Sequence, residues 1–419
     1  MDARQERGLE IAKQARIRKT PMGGYIVPSQ QRGGAIKYAV IIAAGVKPTC
    51  TCPDYELRGD RCKHIYAVEH VIQTELFPDG RERVTETVRV TRTTYPQNWR
   101  AYNKAQTTEQ DTFMVLLRDL CAGLPEPEQK RGRPRLSLRD AVFTAVMKVY
   151  TTTSARRCMS DLREAKARGY ISKLPCHNSV LSALERADMT AILRDLIIES
   201  SLPLKAVECD FAVDSSGFTT SSFQSWFNHR YGHEQPVRQH TWVKAHIMCG
   251  VKTNVVTAIE IHGQHAADVR QLPALVETTA HHFALAEVSA DKAYGSIKNT
   301  ETIASLGATP FLAFKARATG GGREAATGYV SSAWQKAFGY FTYRRDEFLA
   351  HYHKRSNVES TFSMIKRKFG DSLRSKTETA QVNETLAKVL CHNLVVLIHE
   401  MHELHIDPAF WTAAQVNTH

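Results

Sequence analysis

The chain has 419 residues, 42% of them apolar and 23% charged, which is enough to build cores for several domains and excludes a disordered polyelectrolyte. Lys and Arg exceed Asp and Glu by 12, a balance that favours a polyanionic partner, either nucleic acid or an acidic membrane surface. No segment approaches the ~18 consecutive apolar residues of a membrane span, and "MDARQERGLE" lacks a secretory core, so the expectation is a cytoplasmic chain with no membrane partner.

Taken in chain order, residues 1–80 hold two strand-like pieces, "GYIVP" and "IKYAVIIAAG", then a Cys/His cluster, then the helical spacing of "KHIYAVEHVIQ". Residues 81–135 read as a linker or arm. It contains a strand-like "RVTETVRVTRTTY", a helix around "TFMVLLRDLCAGL" and the basic loop "PEPEQKRGRPR". Residues 136–202 read as all-helical. Ser137, Ser154, Asn178 and Asp188 each stand where a helix cap belongs, and a helix-turn-helix DNA reader or a plain bundle would both fit. From 203 to 404 the pattern changes to strands ("AVECDFAVD", "HTWVKAHIMCG", "NVVTAIEIHG", "ALAEVSAD", "TPFLAFK") interleaved with helices, ending in helices near 356–369 and 380–403. Residues 405–419 form a tail. Three adjacent strands followed by strand–helix alternation predict a mixed sheet flanked by helices.

Nine cysteines, mostly scattered, suit a reducing interior better than a disulfide framework. The exception is "CTCPDYELRGDRCKH". Cys50, Cys52, Cys62 and His64 form C-x-C and C-x-H pairs, a donor set for one tetrahedral structural Zn²⁺. The pattern, with strands before and a helix after, resembles the SWIM zinc finger, a small ββα module associated with DNA or protein binding. In "KRGRPRL", Arg131 and Arg133 flank a glycine and precede a proline. This resembles an AT-hook core that lies in a narrow minor groove, and a basic linker fits equally.

Three carboxylates carry the chemical reading. In "KAVECDFAVDSSGF", period two places Asp210 and Asp214 on one strand face, with Asp214 expected at the strand end before a turn "SSG". Asp291 in "ALAEVSADKAYGS" likewise ends a strand, and strand ends are where open α/β sheets place ligands. In "HYHKRSNVESTFSMIKRKFG", a helical wheel puts Tyr352, Arg355, Glu359 and Lys366 within about 60°, beside an apolar stripe of Val358, Phe362, Ile365 and Phe369. A carboxylate between cations suits a metal held together with phosphate. "SNVE" also fits a capping box in which Glu359 turns back to Ser356, and the two roles compete for one carboxylate.

"AVDSSGF", "IHGQHAADVRQLPALVE", "SADKAYGS" and the basic stretch occur in an order that resembles the core of bacterial insertion-sequence transposases of the DDE type. The most specific element is Y-x-x-R-x-x-x-E-x-x-x-x-x-x-K, met by Tyr352, Arg355, Glu359 and Lys366. The resemblance implies an RNase H-like fold and a DNA transposase that cleaves the 3′ ends of its element and transfers them into target DNA. Its acids would be Asp214, Asp291 and Glu359, holding two Mg²⁺ (or Mn²⁺), with Tyr352, Arg355 and Lys366 on DNA. Asp268, in "HAADVRQL", occupies a frequent family position, and Asp210 is the rival to Asp214. Implied partners are the element ends, target DNA and at least one further copy of the chain, in a nucleoid-associated bacterial setting. A catalytically inactive zinc-finger regulator and an RNase H-fold nuclease without strand transfer are the alternatives.

Overall fold

The computed structural model describes residues 3–15, 17–20, 24–28, 37–42, 47–75, 98–128, 132, 135–220, 242–315, 318–319 and 331–411. It divides into two compact units, Met1–Thr87 and Val88–His419. The strand expected in "RVTETVRVTRTTY" lies outside the described residues.

The first unit opens with helix α1 (Ala3–Gln14), for which the charged N-terminus gave no sequence signal. Strands β1 (Arg18–Lys19), β2 (Tyr25–Pro28), β3 (Lys37–Ile41) and β4 (Thr49–Cys50) follow and pair antiparallel in that order. Two helices, α2 (Pro53–Arg58) and α3 (Lys63–Glu75), complete the unit. Gly8 lets α1 lie close on α3, because a Cβ there would meet the Cβ of Tyr66 at 2.6 Å. A small core of Ile11, Val27, Val40, Ile65 and Val68 closes over the cysteines.

The second unit is a five-stranded mixed sheet with helices on both faces. Its strands are β5 (Asp210–Thr219), β6 (Trp242–Gly250), β7 (Val256–Gly263), β8 (Glu287–Ala290) and β9 (Thr309–Leu312). The order is β7-β6-β5-β8-β9. The first three strands run antiparallel as a meander, and β8 and β9 join parallel to β5. Period two sorts β5: Phe211 and Val213 face one core with Leu272, Leu275 and Val276, whereas Ala212 and Phe218 face the other.

That second core also receives helices α4 (Trp99–Thr107), α5 (Glu109–Ala122), α6 (Leu138–Tyr150), α7 (Met159–Ala167), α8 (His177–Leu184) and α9 (Asp188–Ser201). Of the four expected caps, Ser137 holds, its Oγ accepting the Asp140 N–H at 3.0 Å. The others do not cap. Ser154 takes the Arg157 N–H in a turn before α7, Asn178 lies inside α8, and Asp188 begins α9 with its carboxylate on Arg186 at 2.9 Å. In each case the helix starts at a different residue from the one the polar side chain marks.

The far face carries α10 (Leu272–Ala280) and α11 (Ile297–Ser305). Helices α12 (Ser332–Tyr343) and α13 (Arg345–Tyr352) lead through a single 3₁₀ turn (His353–Arg355) into α14 (Ser356–Phe369). The last helix, α15 (Glu378–Glu403), is buried along most of its length. Its Asn393 amide pairs with both backbone groups of Val256 at 2.8 and 2.7 Å, and its Asn383 donates to Leu184 O at 2.8 Å. One helix therefore ties the sheet edge to the helices before it. No helix among the described residues is long and apolar enough to cross a membrane.

Candidate functional site

The parallel register of β5 and β8 pairs Val213 with Ala290, so the next residues, Asp214 and Asp291, leave adjacent strands side by side. Asp214 is not at a strand end as the sequence suggested. "SSG" continues the strand through Thr219, pairing with β6, and only the parallel partner β8 stops here. Helix α14 packs across the same face through buried Val358, Phe362, Ile365 and Phe369, the stripe expected from the wheel. That seating brings the third acid over. Arg355 Nη1 lies 2.7 Å from Glu359 Oε1 and 3.2 Å from Asp214 Oδ2, while the Tyr352 hydroxyl donates to Asp291 Oδ1 at 3.4 Å. Glu359 is not turned back to Ser356: the α14 N-terminus has no side-chain cap, because the 3₁₀ turn feeds it from α13 without a break. The capping-box alternative is excluded by this geometry.

The electrostatics follow from crowding. Burial pushes the Asp214 carboxyl above the usual carboxylate range. The Ser215 N–H and Arg355 oppose this, and Asp291 and Glu359 add to it. Burial opposes the charge on half-buried Arg355, but Tyr352, Glu359, Asp214 and Asp291 together raise its pKa. Carboxylate oxygens from three elements, two of them already paired with Arg355, are the hard donors that Mg²⁺ or Mn²⁺ accepts.

In the first unit, Cys50 ends β4, Cys52 precedes α2, and Cys62 and His64 open α3. Their donor atoms all lie within 4.8 Å of one another and all four residues are buried. His64 Nδ1 is 3.9 Å from both Cys50 Sγ and Cys62 Sγ, and its Nε2 has no partner. Hydrogen bonding from Cys50 holds the Cys62 thiol down at about 3, and the same contact pushes Cys50 up. A soft Cys₃His set that can carry one thiolate by itself, and needs a cation for more, fits structural zinc.

Residues 205–394 match the family model of the transposase DDE domain, and residues 38–73 that of the SWIM zinc finger. The chain carries a transposase DDE domain behind a SWIM zinc finger. No curated protein and no solved structure matches it.

Within the DDE domain, Lys366 reaches the same strand as Asp214 further along, with Nζ 2.7 Å from Ser216 Oγ and 5.3 Å from the Phe218 ring centre. Asp268 is held apart from the three acids by Lys244 at 2.6 Å and Ser215 Oγ at 3.0 Å. Behind it, buried His246 meets the Tyr294 hydroxyl at 3.1 Å, and burial lowers its pKa to about 4. Asp210 begins β5, and Lys354 takes it at 2.6 Å together with Glu287 at 2.7 Å, while His351 closes on Glu287 at 2.8 Å. The rival to Asp214 thus belongs to an ion-pair network at the first residue of the strand, four residues before Asp214. Sequence reasoning missed Lys244, Tyr294 and His246 around Asp268. Lys244 and His246 share one face of β6, but Asp268 and Tyr294 come from segments outside the strands, and only the fold brings the four together. Arg131 and Arg133 lie outside the described residues.

Proposed function

We propose that this chain is an insertion-sequence transposase that cleaves the 3′ ends of its element and joins them to target DNA. The observation that carries it is that Asp214 and Glu359 meet at the Arg355 guanidinium while Asp291, beside Asp214 at the end of the adjacent strand, takes the Tyr352 hydroxyl, in a chain with a transposase DDE domain. The mixed sheet with helices on both faces supports an RNase H-like reading of the fold.

Asp214, Asp291 and Glu359 would hold two divalent ions, Mg²⁺ or Mn²⁺. Such ions lower the pKa of an attacking hydroxyl and stabilise the leaving oxygen of an in-line displacement. In the first step a water oxygen bonds to the phosphorus at the element end, the P–O3′ bond breaks, and a 3′-OH is freed. In the second step that hydroxyl bonds to a target phosphorus and releases a target 3′-OH. The chain's cations do the positioning. Arg355, shared between Asp214 and Glu359 without DNA, would turn to a phosphate, and Lys366 would hold the next phosphate along β5. Tyr352 holds Asp291 in place through its hydroxyl. Joining two ends calls for at least two copies of the chain.

The test is cleavage and joining of the element's end DNA by the full chain with Mn²⁺. Glu359→Gln is expected to lose both, and unchanged activity overturns the assignment. Cleavage without joined product in the wild type would instead make the chain a nuclease.

A further inference from the structure

A small pocket lies beyond the end of β5, between α6, the segment after α14, and α15. It is lined by Lys148, Thr152, Ser372, Arg374, Glu384 and Lys388, among others. Its volume of about 20 Å³ accepts one water or one phosphate oxygen, not a whole small molecule. Three of its side chains are cationic, and the partners of each can be followed.

Lys388 is 1% exposed and donates to the carbonyls of Gly370 and Ser372, at 2.8 Å each. Glu384, the one acid, is used by backbone: it accepts the N–H groups of Arg374 and Ser375 at 2.8–3.1 Å. Lys148 is only 5% exposed, yet among the described residues its ammonium has neither hydrogen bond nor ion pair. The Arg374 guanidinium, at the open rim, also has none. Lys148 does act on Glu384, whose carboxyl it holds down against burial, so one acid faces three cations here and an anion from outside would balance them. Burial first, then Lys148 and Arg374, hold Lys388 down at about 8 against the pull of Glu384 and Asp371. Thr152 adjoins with φ +53°, the left-handed residue that closes the end of α6.

The pocket continues the line of the acids. Ser372 bridges Thr219 at the end of β5, and Lys388 lies 5.5 Å from the Phe218 ring that also receives Lys366. Going outward from Asp214 along one strand, the cations are Arg355, Lys366, then this pocket.

We infer that Lys148 and Arg374, backed by Lys388, form a phosphate-binding pocket that takes one backbone phosphate of the DNA strand lying along β5 beyond the three acids. The inference rests on the DNA-processing function proposed above. A free phosphate shares the same chemistry, so the test separates the two sources.

The full chain would be titrated with a short random-sequence duplex, without added Mg²⁺ or Mn²⁺, across a salt series. Each phosphate contact contributes about 0.9 to the slope of log Kobs against log salt. Arg374→Gln, at an exposed position, and Lys148→Gln should each lower the slope by about 0.9. The double variant should lose no more than either single one, because both serve one phosphate. Wild-type slope and affinity in Arg374→Gln overturn the inference even if Lys148→Gln fails to fold. In a parallel arm, inorganic phosphate is compared with chloride in thermal melts at equal ionic strength. Stabilisation by phosphate that Lys148→Gln abolishes, with the DNA slope unchanged, assigns the pocket to free phosphate and overturns the DNA assignment. A wild type that binds no duplex sinks the transposase reading itself, an outcome distinct from binding that the variants leave untouched.

Discussion

Asp214 shows how one side chain can oppose stability and serve a site. Its carboxyl is raised above the usual range mainly by burial, and Arg355 at 3.2 Å does not fully offset this because Asp291 and Glu359 add repulsion. A carboxyl whose folded pKa is raised contributes stability below its unfolded pKa, near 3.9, and loses it as pH rises through the folded value. At neutral pH the ionised group is therefore a net cost without a divalent cation. Asp214→Asn is expected to melt higher than wild type in the absence of added Mg²⁺ or Mn²⁺, and to lose the stabilisation that Mn²⁺ gives the wild type. A lower melting temperature would mean that the Arg355 ion pair outweighs burial. The residue's importance was legible as one of two acids on a single strand face. The preference for it over Asp210 came from the family resemblance; the two differ in the structure in that Lys354 reaches the first residue of β5 while Arg355, its neighbour, reaches the fifth.

At the scale of elements, α14 was the most legible part of the chain. Its apolar stripe repeats at helical spacing, and the same wheel that buries Val358, Phe362, Ile365 and Phe369 presents Glu359 to the strands. The end of β5 was the least legible. Ser215, Ser216 and Gly217 read as a turn by residue type, yet they pair with His246, Ala245 and Lys244 on β6. Gly217 is small for packing: a Cβ there would lie 2.7 Å from the Trp242 ring. Local propensity yields to a nine-residue antiparallel ladder. Helices α12 and α13 gave no usable sequence pattern, consistent with so few of their residues being buried. Since α14 is held to the sheet mainly by its stripe, Phe362→Ala should destabilise the second unit by about 3–5 kcal/mol in denaturant melts. It should also weaken Mn²⁺ binding by the folded fraction, because Glu359 stands less than one turn away. Wild-type stability in this variant would show that the 3₁₀ junction alone holds the helix.

Over the whole molecule, the helices from 138 to 201 share one core with the sheet and α15, so the second unit has no internal seam at which to unfold in parts. A charge in that core then acts on the stability of the entire unit. Glu400, half-buried near the end of α15, is the clearest case: burial first, then Glu403 and Glu208, push its carboxyl up to about 7, with Lys252 opposing. Its raised pKa contributes stability that is complete below the unfolded value of about 4.3 and lost as pH rises through about 7. Buried His246 and His392, both lowered to about 4, work in the other direction, but only below about 6.5, where their unfolded forms take up protons. Between about pH 7 and 8 the histidines are neutral in both states; Glu400 makes stability fall as pH rises, and Lys388, held down at about 8 by burial, makes it rise. Removing Glu400 leaves the rise from Lys388 unopposed, so the melting temperature of the second unit should climb across that window more steeply in Glu400→Gln than in the wild type, with the variant the more stable at pH 8. A variant that keeps the wild-type slope would mean the carboxylate is already ionised in the folded chain, with Lys252 outweighing its burial.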